Sequence, residues 1–522
     1  MPANFLHGIE VTEVSSGPVP VTVVNSAVIG LIGTAPQWMV AADAAVLPPA
    51  SANTPTLIGS SRGASQFGPL VRGYTIPYAL AAIQAQGAAQ VIVVNVFDPS
   101  THQTTVSATT FTMPATGNQV INLKQMGLIG PGLPNSGTLA TTVVVKESSG
   151  GTTYVEGTDY TVDYVNGFVS AKTGGTIATG ASLSIGYSYA DPSKVADTDI
   201  VGAVTSGAYT GMQCLLTTFQ SFGLNARLLI APGFADDATT ASAMTTLAGT
   251  LRAMAFIDAA PSTGVAAAIA DRGTSGQAFD TSSYRCVLCF PQENFFDAGI
   301  VTTGATMNNQ GAVIQALYSQ NADSPYSQWV AGATAAQDIR NGYWFSPSNT
   351  QVNGIVGPDV TMYSSAFDSA SDTNQLNAAG ILTVFNGFGT GLRVWGNRSA
   401  AYPTYTDAAV FIPIRRTMDV VEASVQQAML QFLDRPIDNG LINSILATVN
   451  GFLRTLIQRG ALIGGQASYN PAENSAVQLA AGQLTFDISL MPPPPAERID
   501  FNVSVNTALL NTLGPSQAAA TA

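Results

Sequence analysis

The chain has 522 residues, of which 46% are hydrophobic and only 10% are charged, and its net charge is −13. This length allows about two to four domains, and the charged fraction lies well below the roughly 25% usual for soluble globular proteins. The negative charge argues against nucleic-acid binding, which needs a concentrated positive field, and three cysteines cannot form a disulfide framework. So few charges favour a surface that is largely buried against neighbouring copies.

The N-terminal residues predict neither secretion nor membrane anchoring. Met1–Phe5 contain no basic segment followed by an apolar core, as a signal peptide would. No uninterrupted apolar run reaches the length of a membrane span. We therefore expect a soluble protein made in the cytosol, without membrane insertion.

Residues 1–25 are predicted to form an N-terminal arm. Apolar and polar residues begin to alternate at Ile9, Val11 and Val14, which is typical of a half-buried strand. Pro18 and Pro20 then interrupt the path to the first apolar strand. The arm strand can pair with another subunit or within its own, and the sequence leaves both open.

Continuous apolar runs alternating with helix-like segments predict an α/β domain with a parallel or mixed sheet, covered on both faces. The predicted strands lie at 28–32, 91–97, 228–231, 255–258 and 286–290. The predicted helices lie at 76–87, 212–222 and 238–254. We place this discontinuous domain at residues 26–99 and 193–395.

Residues 100–192 are predicted to be an inserted β-rich domain. All lysines fall between Lys124 and Lys194, whereas every arginine lies outside 73–226. Segments such as 159–164 and 183–189 are short, rich in β-branched and aromatic residues, and bounded by turn residues. A stretch of different composition between two similar halves indicates an insertion.

The C-terminal part predicts an α+β domain at 396–491, followed by a polyproline spacer and a C-terminal arm at 492–522. Helices are predicted at 417–433 and 441–458 from apolar residues at helical spacing. Two alternating segments, 484–490 and 497–506, are separated by four prolines. Consecutive prolines favour an extended polyproline helix of about 3.1 Å per residue, so the two strands cannot form a tight hairpin. The last strand is therefore predicted to pair with another molecule.

Two motifs have spacings known from cofactor or metal sites, but both have structural explanations. Cys286 and Cys289 show redox or metal-ligand spacing, yet they lie in an apolar run with no second such pair. Buried free cysteines explain them better. Residues 30–34 contain two glycines after a strand but lack the complete phosphate-loop fingerprint. Close packing between strand and turn explains these glycines.

Catalytic groups are scarce in this sequence. A Ser/His/Asp site would need His7 or His102, the chain's two histidines, and no GxSxG elbow is present. The adjacent Asp236 and Asp237 can form a carboxylate pair, but their position favours capping of the helix that follows. No catalytic, cofactor-binding or metal site is predicted, and no cofactor is expected.

Arg415 and Arg416 are the only adjacent basic residues. They stand at the start of a predicted helix, where positive charge opposes the helix dipole. Local pairing with Asp419 or Glu422 and contact with an acidic partner surface both remain open.

Taken together, these residues resemble the contractile phage tail sheath proteins. The motifs that carry the resemblance extend over most of the chain, and their order is specific: 5–11, 27–36, 154–160, 342–349, 376–381, 394–398, 414–417 and 495–499. Two departures are Ser399, where threonine is common, and the segment 321–333, which lacks a clear proline–serine–glycine turn.

The resemblance implies hexameric rings that stack into a helical sleeve of identical subunits around a tail tube. It implies further partners in baseplate and tail terminator proteins, and contraction that drives the tube through the host envelope. The sleeve would be a virion component that is assembled in the host cytoplasm.

The resemblance also implies roles for particular residues. The arm strands would be Ile9, Val11 and Val14 at the N-terminus and Ile499, Phe501, Val503 and Val505 at the C-terminus. Phe486, Ile488 and Leu490 would belong to the strand that accepts a neighbour's arm, and Arg415 and Arg416 are candidate tube contacts. The alternatives are an α/β hydrolase-like enzyme with a β-rich binding insert, and a capsid or tube protein, which would lack the large α/β body.

Overall fold

A computed structural model describes most of the chain. The described residues are 20–40, 51–87, 90–135, 139–297, 299, 306–307, 313–314, 320–387 and 389–512. The predicted N-terminal arm residues Ile9, Val11 and Val14, as well as His7, lie outside them.

Strands and helices alternate along much of the described chain. The strands in chain order are β1 (Val28–Gly33), β2 (Thr56–Ile58), β3 (Gln90–Asn95), β4 (Gln103–Thr112), β5 (Val120–Asn122), β6 (Val144–Glu147), β7 (Tyr160–Asp163), β8 (Phe168–Ala171), β9 (Ser182–Ala190), β10 (Val204–Thr205), β11 (Ala208–Tyr209), β12 (Leu228–Ile230), β13 (Met254–Asp258), β14 (Cys286–Cys289), β15 (Glu293–Asp297), β16 (Thr306–Met307), β17 (Val313–Ile314), β18 (Gln320–Ser324), β19 (Ile355–Pro358), β20 (Ile381–Asn386), β21 (Leu392–Trp395), β22 (Gly464–Ser468) and β23 (Asp487–Met491). The α-helices are α1 (Ser61–Ala64), α2 (Ile76–Ala85), α3 (Asp197–Val201), α4 (Thr218–Phe222), α5 (Ala238–Leu251), α6 (Val265–Asp271), α7 (Tyr326–Asn341), α8 (Asp372–Ala378), α9 (Ile412–Met429), α10 (Asn439–Gln458) and α11 (Ala476–Ala480).

An eight-stranded sheet forms the centre of the protein, in the order β2-β3-β1-β12-β13-β14-β20-β21. The six inner strands are parallel, and β2 and β21 close the two edges in antiparallel pairing. Strands β1, β12, β13 and β14 are buried along their whole length, as expected where helices cover both faces of a parallel sheet.

Successive residues of these strands point to opposite faces of the sheet, and each face has its own core. On one face, Ile29, Leu31 and Phe256 pack with residues of α2 and α7. On the other, Val28 and Ile257 pack with residues of α5 and of the segment between β4 and β9. The second core therefore joins the sheet to that β-rich segment.

Between β3 and β12, the chain forms two three-stranded antiparallel sheets, β4-β9-β6 and β5-β8-β7, followed by the short hairpin β10-β11. Their inward residues, such as Val145, Val169 and Ile185, are fully buried. The predicted mixed α/β content is thus confirmed.

Several elements differ from the predicted ones. Helix α9 begins at Ile412 rather than 417, because Pro413 fits the first turn of a helix, where its missing N–H is not needed. The predicted helix at 212–222 is a 3-10 helix at Gly211–Thr217 followed by the short α4. Segment 497–506, for which pairing with another molecule was expected, forms no strand pairing with described residues of its own subunit, and its pairing with another copy stays a prediction.

Candidate assembly surface

The C-terminal region is built around the amphipathic helix α10. Asp438 caps its start by accepting a hydrogen bond from the backbone N–H of Leu441 at 2.6 Å. One face of α10 is buried against Val421 and Phe432, which lie in and just beyond α9, and against β22. The buried residues of this face are Leu441, Ile445, Val449, Phe452, Leu453 and Leu456. This packing fixes the position of the small sheet beside the helix.

Strands β22 and β23 form an antiparallel two-stranded sheet that contains Ile488 and Leu490 of the predicted arm-accepting residues, whereas Phe486 directly precedes β23. Phe486 and Leu490 pack partly buried against the cluster around α10, whereas Ile488 is 40% exposed. Within the described chain, no third strand pairs with either outer edge of this sheet. Unpaired backbone N–H and C=O groups at such edges can accept a further strand.

The C-terminal arm leaves this sheet through Pro492–Pro495. Its four predicted strand residues are almost fully exposed, at 69% for Ile499, 84% for Phe501 and 92% for both Val503 and Val505. A row of four large apolar side chains is costly in water, at about 1.5–3 kcal/mol each relative to burial. The arm therefore presents one apolar face for which the described part of the subunit supplies no cover.

The first described residues of the chain also contact the C-terminal region. Val21 and Val23 pack against the cluster around α10, and the backbone N–H of Val24 donates to Ser424 Oγ at 3.0 Å. The chain then enters β1 of the central sheet. The described part of the chain thus begins in the region that holds β22 and β23.

Comparisons with known proteins agree along the chain. Residues 207–400 match the phage tail sheath protein central domain, and residues 406–506 match the phage tail sheath C-terminal domain. The tail sheath protein of Burkholderia phage BcepMu is 40% identical over 516 residues, which are 98% of this chain and 99% of that protein. The chain belongs to the phage tail sheath protein family. Its function is that of a structural tail sheath subunit, and the hydrolase-like alternative finds no support.

More distant relatives extend this result. The tail sheath protein of Escherichia phage P2 is 26% identical over 62% of this sheath chain and 75% of its own length. In fold, the chain resembles the sheath of an extracellular contractile injection system, PVC, in the contracted state, with a TM-score of 0.56, 14% identity, and coverage of 97% and 99% of the two chains. The contracted helical sheath of the anti-feeding prophage gives a TM-score of 0.55 at 15% identity, with 97% and 100% covered.

Arg415 of this sheath protein is held by carboxylates of its own helix. Its guanidinium donates to Asp419 at 2.7 Å and to Glu422 at 2.9 Å. Burial lowers the pKa of Arg415, but the charges of Asp419 and Glu422 outweigh this and leave the pKa raised. Asp419 also pairs with Arg285 of the central body. Of the two alternatives given for Arg415, local pairing with Asp419 and Glu422 is the one that the structure shows.

Arg416 lies inside the protein, with 4% of its surface exposed. Its guanidinium forms a two-pronged ion pair with Asp338 at the end of α7, with Nη1 to Oδ1 at 2.7 Å, and Nη2 donates to the carbonyl of Ser26 at 3.3 Å. The tube contact suggested for Arg416 does not fit this position, because a buried side chain with both prongs engaged presents nothing to a partner. Arg416 instead joins the body, α9 and the N-terminal segment.

The remaining sequence candidates have structural roles. Cys286 and Cys289 are fully buried in β14. Asp237 caps α5 by accepting from the N–H groups of Thr239 and Thr240. A Cβ on Gly33 would lie 2.2 Å from Thr75 Oγ1, so close packing of strand and turn requires glycine there. Among the described residues, no group of three acidic, histidine or cysteine side chains is placed to hold a metal.

Two buried carboxyl groups were not found by sequence reasoning. Burial raises the pKa of Asp258 to about 7, although Ser327 donates two hydrogen bonds to it. Burial, with a smaller effect of Asp359, raises the pKa of Glu293 well above its usual value. Perturbed carboxyls occur at active sites, but both of these side chains are buried in the core, where no substrate can reach them. The only signal for them in the sequence is their position at or shortly after the end of an apolar strand, Asp258 at the end of β13 and Glu293 after β14.

Helix α10 is long and apolar enough, by length and composition, to cross a membrane. Its apolar face is nevertheless packed against α9 and β22. The core helix of a soluble protein meets the same criterion, so the helix needs no membrane to explain its composition.

Proposed function

We propose that this chain polymerises as stacked hexameric rings around a tail tube, and that the resulting sleeve contracts to drive the tube through the host cell envelope. The observation that carries the proposal is the exposed apolar row Ile499, Phe501, Val503 and Val505, which follows along the chain, beyond the polyproline spacer, a two-stranded sheet whose outer edges pair with no described strand. Within the described subunit, the apolar row has no covering surface and the sheet edges have no partner strand. A second copy of the chain offers both. Identical subunits can satisfy both by strand exchange.

The domain boundaries are part of the same proposal. We divide the chain into an N-terminal arm at 1–25, a discontinuous α/β domain at 26–99 and 193–395, and a β-rich insert at 100–192. An α+β assembly domain at 396–491 and the polyproline spacer with its arm at 492–522 follow. The separate cluster around α10 supports an assembly domain with its own core.

In this arrangement, the C-terminal arm adds a strand to the sheet β22–β23 of a neighbour, at an edge beside Phe486, Ile488 and Leu490. Burying the four apolar residues contributes about 6–12 kcal/mol before losses. Ordering the arm removes about 1–2 kcal/mol per residue of backbone. The net free energy per arm is small, but many arms act together in a polymer.

The N-terminal arm, with Ile9, Val11 and Val14, is proposed as the second connecting strand. Val21 and Val23 support this role, because they direct the start of the described chain to the neighbourhood of β22 and β23. Two arms from different copies can then extend the two-stranded sheet on its open edges.

The proposed partners are further copies of this chain, the tail tube protein, and the baseplate and tail terminator proteins. We assign no catalytic activity, no cofactor, and no direct contact with nucleic acid or insertion into a membrane. Contraction must then draw on a difference in contact free energy between two arrangements of the subunits. The sleeve would be assembled in the host cytoplasm and become part of the virion.

Truncation after Pro495 tests the role of the arm. The shortened chain should keep the folded body, measured by circular dichroism and thermal melting, and should form no sleeves in negative-stain electron microscopy. A finer test compares Phe501→Ser/Val503→Ser with Asn502→Ala/Ser504→Ala, which alters the other face of the same strand. Unimpaired sleeves from the truncated chain, or equal effects of the two double variants, would contradict strand exchange through this apolar face.

A further inference from the structure

The root of the C-terminal arm is held by one ion pair on the loop that follows β21. Arg398, just beyond β21, donates from Nε to Oε1 and Oε2 of Glu497 at 2.9 and 3.1 Å, and its Nη2 donates to Oε2 as well. Among the described residues, these are the only side-chain or backbone hydrogen bonds that link 492–505 to the rest of the chain. We call this pair the arm clasp.

The body side of the arm clasp is rigidly built. The backbone of Arg398 pairs with Phe411 in an antiparallel bridge. Its guanidinium stacks over the rings of Tyr402 and Phe411, with Cζ 4.0 and 5.0 Å from their centroids. Arg272 fixes the adjacent loop by donating to the carbonyls of Ala400 and Tyr402 at 2.7 and 2.8 Å. A planar guanidinium held by stacking loses little freedom when it binds a carboxylate at both oxygens.

The arm side is held by little else. Residues 493–500 border a groove of about 1610 Å³, whose lining also includes Trp344, Phe345 and Trp395. Because this groove is open, apolar packing does not fix the arm between the prolines and Ile499. The next ion pair along the arm, Arg498 with Asp500, lies within the arm itself and is exposed on both sides.

We propose that Arg398 is a positioning residue for the C-terminal arm: by holding Glu497, it sets the direction in which residues 499–505 leave the subunit toward a second copy of this chain. This inference rests on the proposed strand exchange. An arm with a fixed root searches fewer directions before it meets the neighbour's sheet, and such pre-organisation lowers the entropy cost of association. The polyproline on one side of the clasp is stiff, so the clasp and the spacer together define the reach of the arm.

The test measures arm direction in the unassembled chain and polymerisation separately. Spin labels are placed at exposed positions, Ser242→Cys on α5 and Asn502→Cys on the arm. The three native cysteines are buried, so labelling is selective. With the clasp intact, electron paramagnetic resonance should give a narrow distance distribution between the labels. Glu497→Gln and Arg398→Gln should each broaden it, and the double variant no further, whereas Asp500→Asn should leave it unchanged.

Polymerisation supplies the second readout. A partly exposed, two-pronged pair implies that Glu497→Gln raises the protein concentration needed for sleeve formation by about two- to fivefold. A distribution that is equally broad with the clasp intact, or an unchanged polymerisation threshold in a variant whose arm has become mobile, would overturn the positioning role. The distance measurement needs no assembly, so its outcome is independent of whether the truncation after Pro495 abolishes sleeves.

Discussion

Replacing Arg416 by glutamine should destabilise the subunit far more than replacing any exposed arginine. Arg416 and Asp338 are buried and paired at both prongs, and the guanidinium also holds the carbonyl of Ser26. The substitution leaves the Asp338 carboxylate in the core, where it has no other donor among the described residues. A buried charge without a partner is expensive, since neither water nor a counter-charge compensates it.

The magnitude follows from this burial. Removing one partner of a buried ion pair costs about 3–5 kcal/mol. For a cooperative unit of 150–250 residues, each kcal/mol lowers the melting temperature by about 2–4 °C. Arg416→Gln should therefore lower the melting temperature of the sheath subunit by roughly 6–20 °C. Arg498→Gln is the matched control, because the pair of Arg498 with Asp500 is exposed and contributes little.

The assay is thermal unfolding followed by circular dichroism, together with sleeve formation under the microscope. A second variant, Asp338→Leu/Arg416→Met, removes both charges and should recover most of the lost stability, since well-packed apolar residues often replace a buried pair without loss. Sleeves should return with the stability. If the double variant is stable but forms no sleeves, Arg416 contributes to assembly directly and the structural assignment is refuted.

Three further changes test other parts of the structure. Glu293→Gln should stabilise the protein at pH 8 and not at pH 4 in urea titrations. The raised pKa of Glu293 keeps its carboxyl protonated in the folded state, whereas the unfolded chain releases this proton above about pH 4.3, so the free energy of unfolding falls as the pH rises from about 4.3 towards the pKa of the folded state. A difference between variant and parent that stays constant across pH would refute this. Gly167→Ala should destabilise the β-rich segment, because φ of Gly167 is +77° and a Cβ there would lie 1.6 Å from the carbonyl oxygen of Gln125. Amide hydrogen exchange of this segment should become faster, and unchanged exchange would show that alanine is accommodated without strain. Leu453→Ala should cost about 2–5 kcal/mol in denaturant unfolding, as Leu453 is fully buried in the cluster around α10; a loss below 1 kcal/mol would contradict tight packing there.

The elements that could be predicted are those whose burial follows from the pattern of apolar and polar residues within the element itself. Strands β1, β3, β12, β13 and β14 are continuous apolar runs, because a sheet covered on both faces needs apolar residues on both. Helix α7 could not be found in the same way. It is buried nearly all round with small and polar residues, so it has no apolar stripe. Its buried polar groups are instead compensated by distant residues, such as Asp258, which accepts from Ser327.

The same distinction holds for the assembly surface. The alternation in 499–505 is local, and the sequence was sufficient to predict an apolar face that the described subunit leaves exposed. The partners of Arg416 and Arg398, by contrast, are distant in sequence. Arg416 and Asp338 are 78 positions apart, and Arg398 and Glu497 are 99 apart. Only the fold brings such pairs together, so the sequence could name Asp419 and Glu422 as local partners of Arg415 but could not indicate the partner of Arg416 or of Arg398.

The ion pairs that hold α9 and those that hold the C-terminal arm differ in number and burial, and this difference indicates which part of the subunit can move in a sleeve. Helix α9 is joined to the central body by the buried Arg416–Asp338 pair and by Arg285 and Arg252, which pair with Asp419 and Glu422. The C-terminal arm is joined to the body by the arm clasp alone among described hydrogen bonds. Separating α9 from the body would expose several charges and a packed core, whereas reorienting the arm breaks one partly exposed pair. Movement between neighbouring subunits should therefore concentrate in the arms, while each body and its α9 move together.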